Sequence, residues 1–269
     1  MNLDIKKAQA VAKKSTIKAG NFLKAYQAKV TIKKFKHLQD IQTDADLKAE
    51  DIIIKLIKKN FPKHNIFSEE AGLIDNHSNY TWIIDPLDGT KEYFKGQSHF
   101  LSLVSLESKK EILTGCVYNP NTKNIFFAAK NMSAYKNSTK ISVSKTKSLS
   151  HSIISVKLPD TGLSKQSFQF SWQYIQSLSK QCYKVRGAIH VAQDICYIAQ
   201  GAREGFCIIA EPQPKWWDVA SALIIVKQAG GKITDKFGKP IKNQDLSKGL
   251  VVSNGLIHNQ LLEIIKQYL

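Results

Sequence analysis

Two acidic residues at a strand end are the side chains of this sequence best placed for chemistry. Residues 82–90 read Trp-Ile-Ile-Asp-Pro-Leu-Asp-Gly-Thr, so a short apolar strand runs directly into Asp85 and Asp88. Pro86 fixes one backbone angle between the two carboxylates, and Gly89 permits a tight turn and a close approach of the backbone to a ligand. Hard divalent cations prefer oxygen ligands, and Mg²⁺ is bound by a few carboxylates together with water and substrate phosphate. The segment therefore indicates a magnesium site.

A lone Asp-x-x-Asp spacing is also common in solvated turns, so two further acidic segments decide the interpretation. The segment Ser68-Glu69-Glu70 directly follows the apolar run Asn65–Phe67, and Asp218 directly precedes the apolar segment 219–226. Taken singly, the two glutamates fit an exposed loop and Asp218 fits a helix N-cap, a common use of aspartate. Because the three segments occur together, the sequence favours a shared metal site.

Apolar periodicity places these acids on a chain of strands and helices. Helical spacing covers residues 2–29 and 44–60, and Asp44 or Asp46 is a candidate cap of the second helix. Short strands, which suggest an antiparallel sheet, are predicted at residues 65–68, 81–84, 100–106, 115–118, 124–129 and 140–143. Strands and helices then alternate as in an α/β layer, with strands at 152–157, 182–186, 205–210 and 250–253 and helices at about 165–180, 190–201, 217–229 and 256–268.

The polar segment at residues 143–152 is the predicted domain boundary. An N-terminal α+β domain, residues 1–146, would carry most of the metal ligands. A C-terminal α/β domain, residues 147–269, would contribute Asp218 and the side of the pocket that faces the leaving group.

Composition narrows the class of protein. The chain has 269 residues, of which 43% are apolar, enough for one large domain or two modest ones. No stretch approaches the roughly 18–20 apolar residues that span a bilayer, and the N-terminus lacks the apolar core of a secretion signal. We therefore expect a cytoplasmic protein with no membrane partner. The four cysteines form no Cys-x-x-Cys pair, which disfavours zinc and thioredoxin-like chemistry.

The formal net charge of +17 fits a lysine-rich solvated surface, an anionic small substrate or a nucleic acid. We favour the solvated surface over a nucleic-acid partner, because the lysines are not interleaved with aromatic residues as in a stacking platform.

The acidic segments together resemble the inositol monophosphatase superfamily of lithium-sensitive phosphatases. Residues 82–93 (WIIDPLDGTKEY) resemble its first signature, and residues 217–231 (WDVASALIIVKQAGG) resemble its second. Ser68-Glu69-Glu70 is similar to the acidic pair before the first signature, and residues 42–46 (QTDAD) resemble an upstream Thr-x-x-Asp element. The resemblance implies a layered αβαβα sandwich of the α/β (α+β) class. It also implies hydrolysis of a small anionic phosphate ester at two or three Mg²⁺ ions.

The same resemblance implies a role for each site residue. The first ion would be held by Glu69, Asp85 and the carbonyl of Leu87, and the second by Asp85, Asp88 and Asp218. Glu70 would hold a water molecule, and Thr90 and Asp46 would orient the attacking water. A metal-activated water needs no covalent nucleophile.

The substrate contacts implied by the resemblance come from both halves of the chain. Asp88 and the backbone N–H groups of Gly89 and Thr90 would face the phosphate. Glu211 lies seven residues before Asp218, the spacing of a substrate-hydroxyl ligand in the inositol branch. His190 is a further candidate substrate contact.

The sequence indicates less clearly which branch of the superfamily, and therefore which substrate, it resembles most. The first signature looks most like the 3'(2'),5'-bisphosphate nucleotidase (CysQ-type) branch, which removes the 3'-phosphate of adenosine 3',5'-bisphosphate. Residues 251–258 read more like the inositol branch, and residues 186–192 (RGAIHVA) depart from the usual Gly-Ser/Thr-Ala/Ser loop. An inositol-1-monophosphatase or sugar phosphatase is therefore the first alternative. An RNA-binding regulatory protein on the same fold is the second. The resemblance also implies Li⁺ inhibition and the possibility of a homodimer.

Overall fold

The structure is a computed structural model that describes residues 3–37, 40–159, 163–210 and 213–268, without the side chains of Lys36, His37 and Asp40. Seven α-helices lie within these residues: α1 (Ile5–Tyr26), α2 (Asp44–Asn60), α3 (Thr90–Phe94), α4 (Lys165–Gln181), α5 (Val191–Ala199), α6 (Trp216–Gln228) and α7 (His258–Lys266). No helix among the described residues has both the length and the apolar character that a membrane span requires.

The described strands form a two-stranded ribbon and two larger sheets. The ribbon consists of β1 (Ile32–His37) and β2 (Asp40–Thr43). The large sheet has eight strands in the order β10-β9-β8-β7-β6-β5-β3-β4. They are β3 (Asn65–Ser68), β4 (Gly72–Ile74), β5 (Tyr80–Asp88), β6 (Leu101–Ser108), β7 (Glu111–Asn119), β8 (Asn124–Ala129), β9 (Ala134–Lys136) and β10 (Thr139–Ile141). The small sheet has five strands in the order β12-β11-β13-β15-β14. They are β11 (Ile153–Val156), β12 (Lys184–Gly187), β13 (Gly205–Ile208), β14 (Lys232–Thr234) and β15 (Leu250–Ser253).

The predicted αβαβα sandwich is confirmed, because successive strand residues face opposite layers. On β6 and β7, Val104 and Cys116 pack with α1 and α2, whereas Leu103 and Val117 pack with α5 and α6. The small sheet covers the other side of α5 and α6, and its outer face packs against α4 and α7. Residues before 142 build the large sheet and residues after 152 build the small one. The division into two domains stays a prediction.

Helix α6 lies between the two sheets. Every residue from Val219 to Val226 is buried, as expected for a helix that is packed on both sides. The helix approaches β7 so closely that a Cβ atom at Gly115 would lie 2.5 Å from the carbonyl oxygen of Ser221. This contact fixes α6, and with it Asp218, against the large sheet.

The predicted antiparallel sheet is wrong at one strand pair. Strands β3 and β5 run parallel, with Ile66 opposite Trp82 and Ser68 opposite Ile84. Between them the chain forms β4, which pairs antiparallel with β3 at the edge of the sheet. The carboxyl ends of β3 and β5 therefore lie side by side, which an antiparallel pairing would have prevented.

Local details also differ from the sequence-based expectations. The helix predicted at residues 44–60 is confirmed, but its N-cap is Thr43, and Asp46 is the partner in a capping box. The strand predicted at residues 140–143 begins and ends earlier, at Thr139 and Ile141. The sequence pattern does not predict strands β1, β2, β4, β9 and β14, because they have three to six residues and little apolar alternation.

Candidate active site

All five predicted metal-ligand residues line one cavity of about 450 Å³: Glu69, Asp85, Leu87, Asp88 and Asp218. The predicted substrate contacts Gly89, Thr90 and His190 line the same cavity. Asp46 and Glu70 do not line the cavity themselves; Asp46 contacts Thr90, and Glu70 contacts Gln42. Glu211 lies outside the described residues. The structure thus brings together residues from both halves of the chain.

The parallel pair β3 and β5 positions the first acids. The backbone N–H of Glu69 donates to the carbonyl oxygen of Ile84 at 3.1 Å. Glu69 therefore lies beside Ile84, the residue that precedes Asp85. Where β5 pairs with β6, Asp85 lies opposite Leu103 and Asp88 lies opposite Leu101. Between these two pairs β5 has one more residue than β6. Such a bulge redirects side chains at a strand end, and here it turns both aspartates toward the cavity.

The first turn of α6 positions Asp218. Asp218 is the third residue of the helix rather than its N-cap, and its Oδ2 accepts the backbone N–H of Lys215 at 2.8 Å. Trp217 packs edge-on against Phe67 of β3, with ring centroids 5.2 Å apart. The indole of Trp216 donates to Glu107 of β6 at 3.1 Å. These contacts attach the start of α6 to the large sheet beside the other acids.

The acidic cavity is electrostatically unfavourable without a cation. Asp85 is only 2% exposed, and burial together with the charges of Glu69, Asp88 and Asp218 raises its pKa well above the usual value. Burial and the charge of Asp88 raise the pKa of Asp218 to about 8. Among the described residues, the buried Oδ2 of Asp88 has no hydrogen-bond partner. Buried charges normally are paired or coordinate metals, so this donor set fits a divalent cation.

The acids do not form a closed metal cage. Within the described ranges, no group of three or more His, Cys, Asp or Glu side chains is arranged so that it could hold a metal ion by itself. An open arrangement agrees with Mg²⁺, which usually keeps several water ligands and takes others from a substrate phosphate.

A hydroxyl and a buried carboxylate adjoin the acids. Thr90 Oγ1 lies 3.0 Å from Asp46 Oδ1 and 3.1 Å from the carbonyl oxygen of Leu87. Asp46 is 1% exposed, and its Oδ2 accepts the backbone N–H of Thr43 at 2.8 Å. Burial raises the pKa of Asp46 to about 6 against the opposing effect of its hydrogen bonds, and the charge of Glu70 adds to the rise. The capping box of α2 thereby holds the carboxylate that Thr90 contacts.

His190 reaches the site from the segment before α5. Its Nδ1 lies 3.3 Å from Asp88 Oδ1, and the side chain is 7% exposed. Burial acts to lower the pKa of His190, but the charges of Asp88 and Glu92 raise it overall.

The remaining cavity wall contains residues that sequence reasoning missed. Lys157 and Leu158 follow β11, and Ala188 and Ile189 follow β12. Strands β11 and β12 are parallel, so their carboxyl ends meet at one edge of the small sheet. Their position directly after predicted strands is a sequence feature that could have indicated these residues. The sequence does not show, however, that the two strands pair with each other.

Comparison with known proteins agrees with this geometry. A model of the inositol monophosphatase family matches residues 4–269. The Fructose-1,6-bisphosphatase/inositol-1-monophosphatase of Aquifex aeolicus is 31% identical over 268 residues, which cover 99% of this chain and 98% of that protein. The Nus factor SuhB of Pasteurella multocida is 31% identical over 228 residues, 84% of each protein.

Solved structures show the same similarity. The extragenic suppressor protein suhB of Bartonella henselae has a TM-score of 0.89 and 27% identity, covering 98% of this chain and 100% of that one. An IMPase of Thermotoga maritima has a TM-score of 0.84 and 28% identity, covering 98% of this chain and 97% of the other.

Proposed function

The chain belongs to the inositol monophosphatase family, and from that premise we propose that it hydrolyses a small phosphate monoester with Mg²⁺ and an attacking water. One observation supports this most strongly. Carboxylates from three separate segments line one cavity, and a buried oxygen of Asp88 has no hydrogen-bond partner in the part of the chain that the structure describes. Family membership supports a metal-dependent phosphatase, and the identity and number of the ions belong to the proposal.

The proposed residue roles follow from the positions of the side chains. Glu69, Asp85 and the Leu87 carbonyl would hold one Mg²⁺, and Asp85, Asp88 and Asp218 would hold a second. The chemistry that Mg²⁺ supplies when bound is acidification of a coordinated water and neutralisation of charge on the attacking and leaving oxygens.

The other residues would orient the reactants. Thr90 Oγ1, held 3.0 Å from Asp46 Oδ1, would align the attacking water, and Glu70 would hold a second water. The N–H groups of Gly89 and Thr90 would bind the phosphate. Positioning and electrostatics of this kind account for most of the catalysis in phosphoryl transfer.

The substrate is the finer part of the proposal. The first signature favours adenosine 3',5'-bisphosphate, whereas residues 251–258 and the name of the Aquifex aeolicus relative favour an inositol or fructose phosphate. The relative covers nearly the whole chain, so we place inositol 1-phosphate and fructose 1,6-bisphosphate before the nucleotide. The predicted contact at Glu211 would bind a substrate hydroxyl.

A panel of esters tests the activity and its substrate class together. Phosphate release from inositol 1-phosphate, fructose 1,6-bisphosphate and adenosine 3',5'-bisphosphate should require Mg²⁺ and cease with EDTA. Ca²⁺ should compete with Mg²⁺ and inhibit, because Ca²⁺ takes more ligands in a looser geometry. Ratios of kcat/KM rank the three esters. Absence of release from all three, with Mg²⁺ present and the protein folded, would contradict the proposed substrates.

A second candidate function is sequence-independent binding of a nucleic-acid backbone by the outer face of α1 and α2. Helix α1 contains six lysines and no acid. Three acids of α2, Asp44, Asp46 and Glu50, are buried, and the exposed Asp51 pairs with Lys55. The outer face therefore carries an excess of positive charge, as in electrostatic binding of phosphates. Relatives named Nus factor SuhB support the same candidate.

Salt dependence tests this face. In the triple variant Lys6→Gln/Lys14→Gln/Lys18→Gln, the slope of log K against log [salt] for a 20-base-pair duplex should fall by about 2 to 3, because each lost phosphate contact removes about 0.9. The matched control is Lys239→Gln/Lys242→Gln/Lys248→Gln, which removes the same charge from exposed positions near Asp235 and Asp245. If both variants lose the same amount of salt slope, or if duplex binding by the parent protein does not depend on salt, the outer face of α1 and α2 is not the binding surface. Hydrolysis should be unchanged in both.

A further inference from the structure

His190 contacts one carboxylate oxygen of Asp88, and the other oxygen has no hydrogen-bond partner within the described residues. The imidazole Nδ1 lies 3.3 Å from Asp88 Oδ1, although the residues are 102 positions apart. Asp88 Oδ2 is buried and makes no hydrogen bond to any described residue, yet Asp88 lines the acidic cavity. With a proton on Nδ1, the imidazole donates to Oδ1 and fixes the plane of the carboxylate. The free lone pairs of Oδ2 are then available to a cation.

The surroundings of the imidazole hold it in one position. A Cβ atom added at Gly89 would lie 2.4 Å from His190 Cε1 and 2.9 Å from the carbonyl oxygen of His99. The ring therefore packs directly against the turn that follows Asp88, where Gly89 has φ of 97°. On the other side, His190 immediately precedes α5, whose Ala192, Ile195 and Ile198 are fully buried between the two sheets.

The second ring nitrogen is buried beside the backbone of His99. Nε2 has no hydrogen-bond partner of good geometry among the described residues, whereas Nδ1 lies 3.3 Å from Asp88 Oδ1. This arrangement favours an action through Asp88 over the direct substrate contact predicted from the sequence. In metal sites, groups that hold the ligands fix their orientation, and losing one typically costs 10–100-fold in metal affinity.

We propose that His190 is a positioning residue that holds Asp88 Oδ1 and so directs Oδ2 toward the second cation position. The inference rests on the proposed metal site. It assigns the segment before α5, where this chain departs from the usual Gly-Ser/Thr-Ala/Ser loop, to the support of a metal ligand on the large sheet.

Calorimetric titration of the full chain with Mg²⁺ alone tests the role without an activity readout. His190→Leu removes the donor, and its affinity for Mg²⁺ should fall by about 10–100-fold. His190→Asn places an amide N–H where Nδ1 lies, so its affinity should stay within about threefold of the parent protein. His64→Leu is the matched control, because His64 accepts a hydrogen bond from Trp82, three residues before Asp85, and does not line the cavity.

The outcomes separate this inference from the proposed function. If the parent chain binds Mg²⁺ and a folded His190→Leu protein binds it equally well, the positioning role is overturned. The same conclusion follows if His190→Asn loses as much affinity as His190→Leu. Should the leucine variant not fold, His190→Gln replaces it and should show the same loss, since its amide is one bond too far from the backbone. A parent chain that binds no Mg²⁺ would instead overturn the proposed metal site.

Discussion

Replacing Asp85 by Asn should abolish hydrolysis and, at the same time, stabilise the metal-free protein. In the proposed site Asp85 is a ligand of both cations, so its loss should lower kcat/KM by about 10³-fold or more, which corresponds to roughly 4 kcal/mol of transition-state stabilisation. Asn has nearly the same shape but no charge. Because Asp85 is 2% exposed and is repelled by Glu69, Asp88 and Asp218, the neutral side chain should raise the free energy of unfolding in EDTA.

The stability gained by Asp85→Asn in EDTA should increase with pH. The pKa of Asp85 is raised in the folded chain, so the folded state binds more protons there than the unfolded state. The stability of the parent protein should therefore fall as the pH rises above the ordinary aspartate value near 4. Asn does not titrate, so the advantage of Asp85→Asn should be larger at pH 8 than at pH 5.

Urea denaturation in EDTA and in Mg²⁺ measures both effects. Mg²⁺ should stabilise the parent protein by mass action and should stabilise Asp85→Asn much less. Asp51→Asn is the control, because Asp51 is an exposed acid on α2, outside the cavity. A variant at Asp85 that is less stable than the parent protein in EDTA at pH 8, or that keeps its activity, would contradict the proposed site.

The convergence of the acids was predictable from the sequence because each acid follows or begins an apolar segment. An acidic residue that directly follows a buried strand lies where the strands of the sheet end, whichever strand pairs with its own. The local sequence shows this for Asp85 and Asp88, which follow the apolar residues 82–84. It also shows it for Asp218, which precedes the apolar residues 219–226. The family resemblance implies the remaining metal ligands, Glu69 and the carbonyl of Leu87, and both residues line the cavity.

Strand pairing was not predictable by the same reasoning. The three-residue β4 turns the chain at the sheet edge, so that β3 and β5 run parallel, and a segment this short has almost no periodic signal. The positions of Lys157 and Ile189 depend in the same way on the pairing of β11 with β12. His190 is a predicted substrate contact, but its position beside Asp88 and its packing against Gly89 are visible only in the structure.

Asp46 shows how one residue can serve both the fold and the site. The sequence offered it as a possible helix cap, and the resemblance offered it as a partner of Thr90. In the structure Oδ2 accepts the N–H of Thr43 while Oδ1 contacts Thr90. The capping interaction orients the carboxylate, so the local signal for a helix start and the signal for chemistry coincide at one side chain.

Replacing Thr90 by Val should lower kcat by about 10²- to 10⁴-fold, the usual contribution of a group that positions or transfers a proton. The valine has the same shape as threonine but lacks the hydroxyl that lies 3.0 Å from Asp46 Oδ1. Thr90→Ser keeps the hydroxyl and should retain most of the activity. Calorimetry should show Mg²⁺ binding close to that of the parent protein in both variants, because the Thr90 side chain is not a proposed metal ligand.

A double-mutant cycle with Asp46→Asn shows whether the two groups act as a unit. If Asp46 works by holding the Thr90 hydroxyl, the double variant should be little worse than Thr90→Val alone, since residues of one unit have non-additive effects. Independent losses that multiply would mean that Asp46 acts elsewhere, for example only as the cap of α2. Because that cap also stabilises the helix, the unfolding free energy of each variant must be measured beside kcat, and only a loss of kcat in a folded protein bears on the orientation of the attacking water.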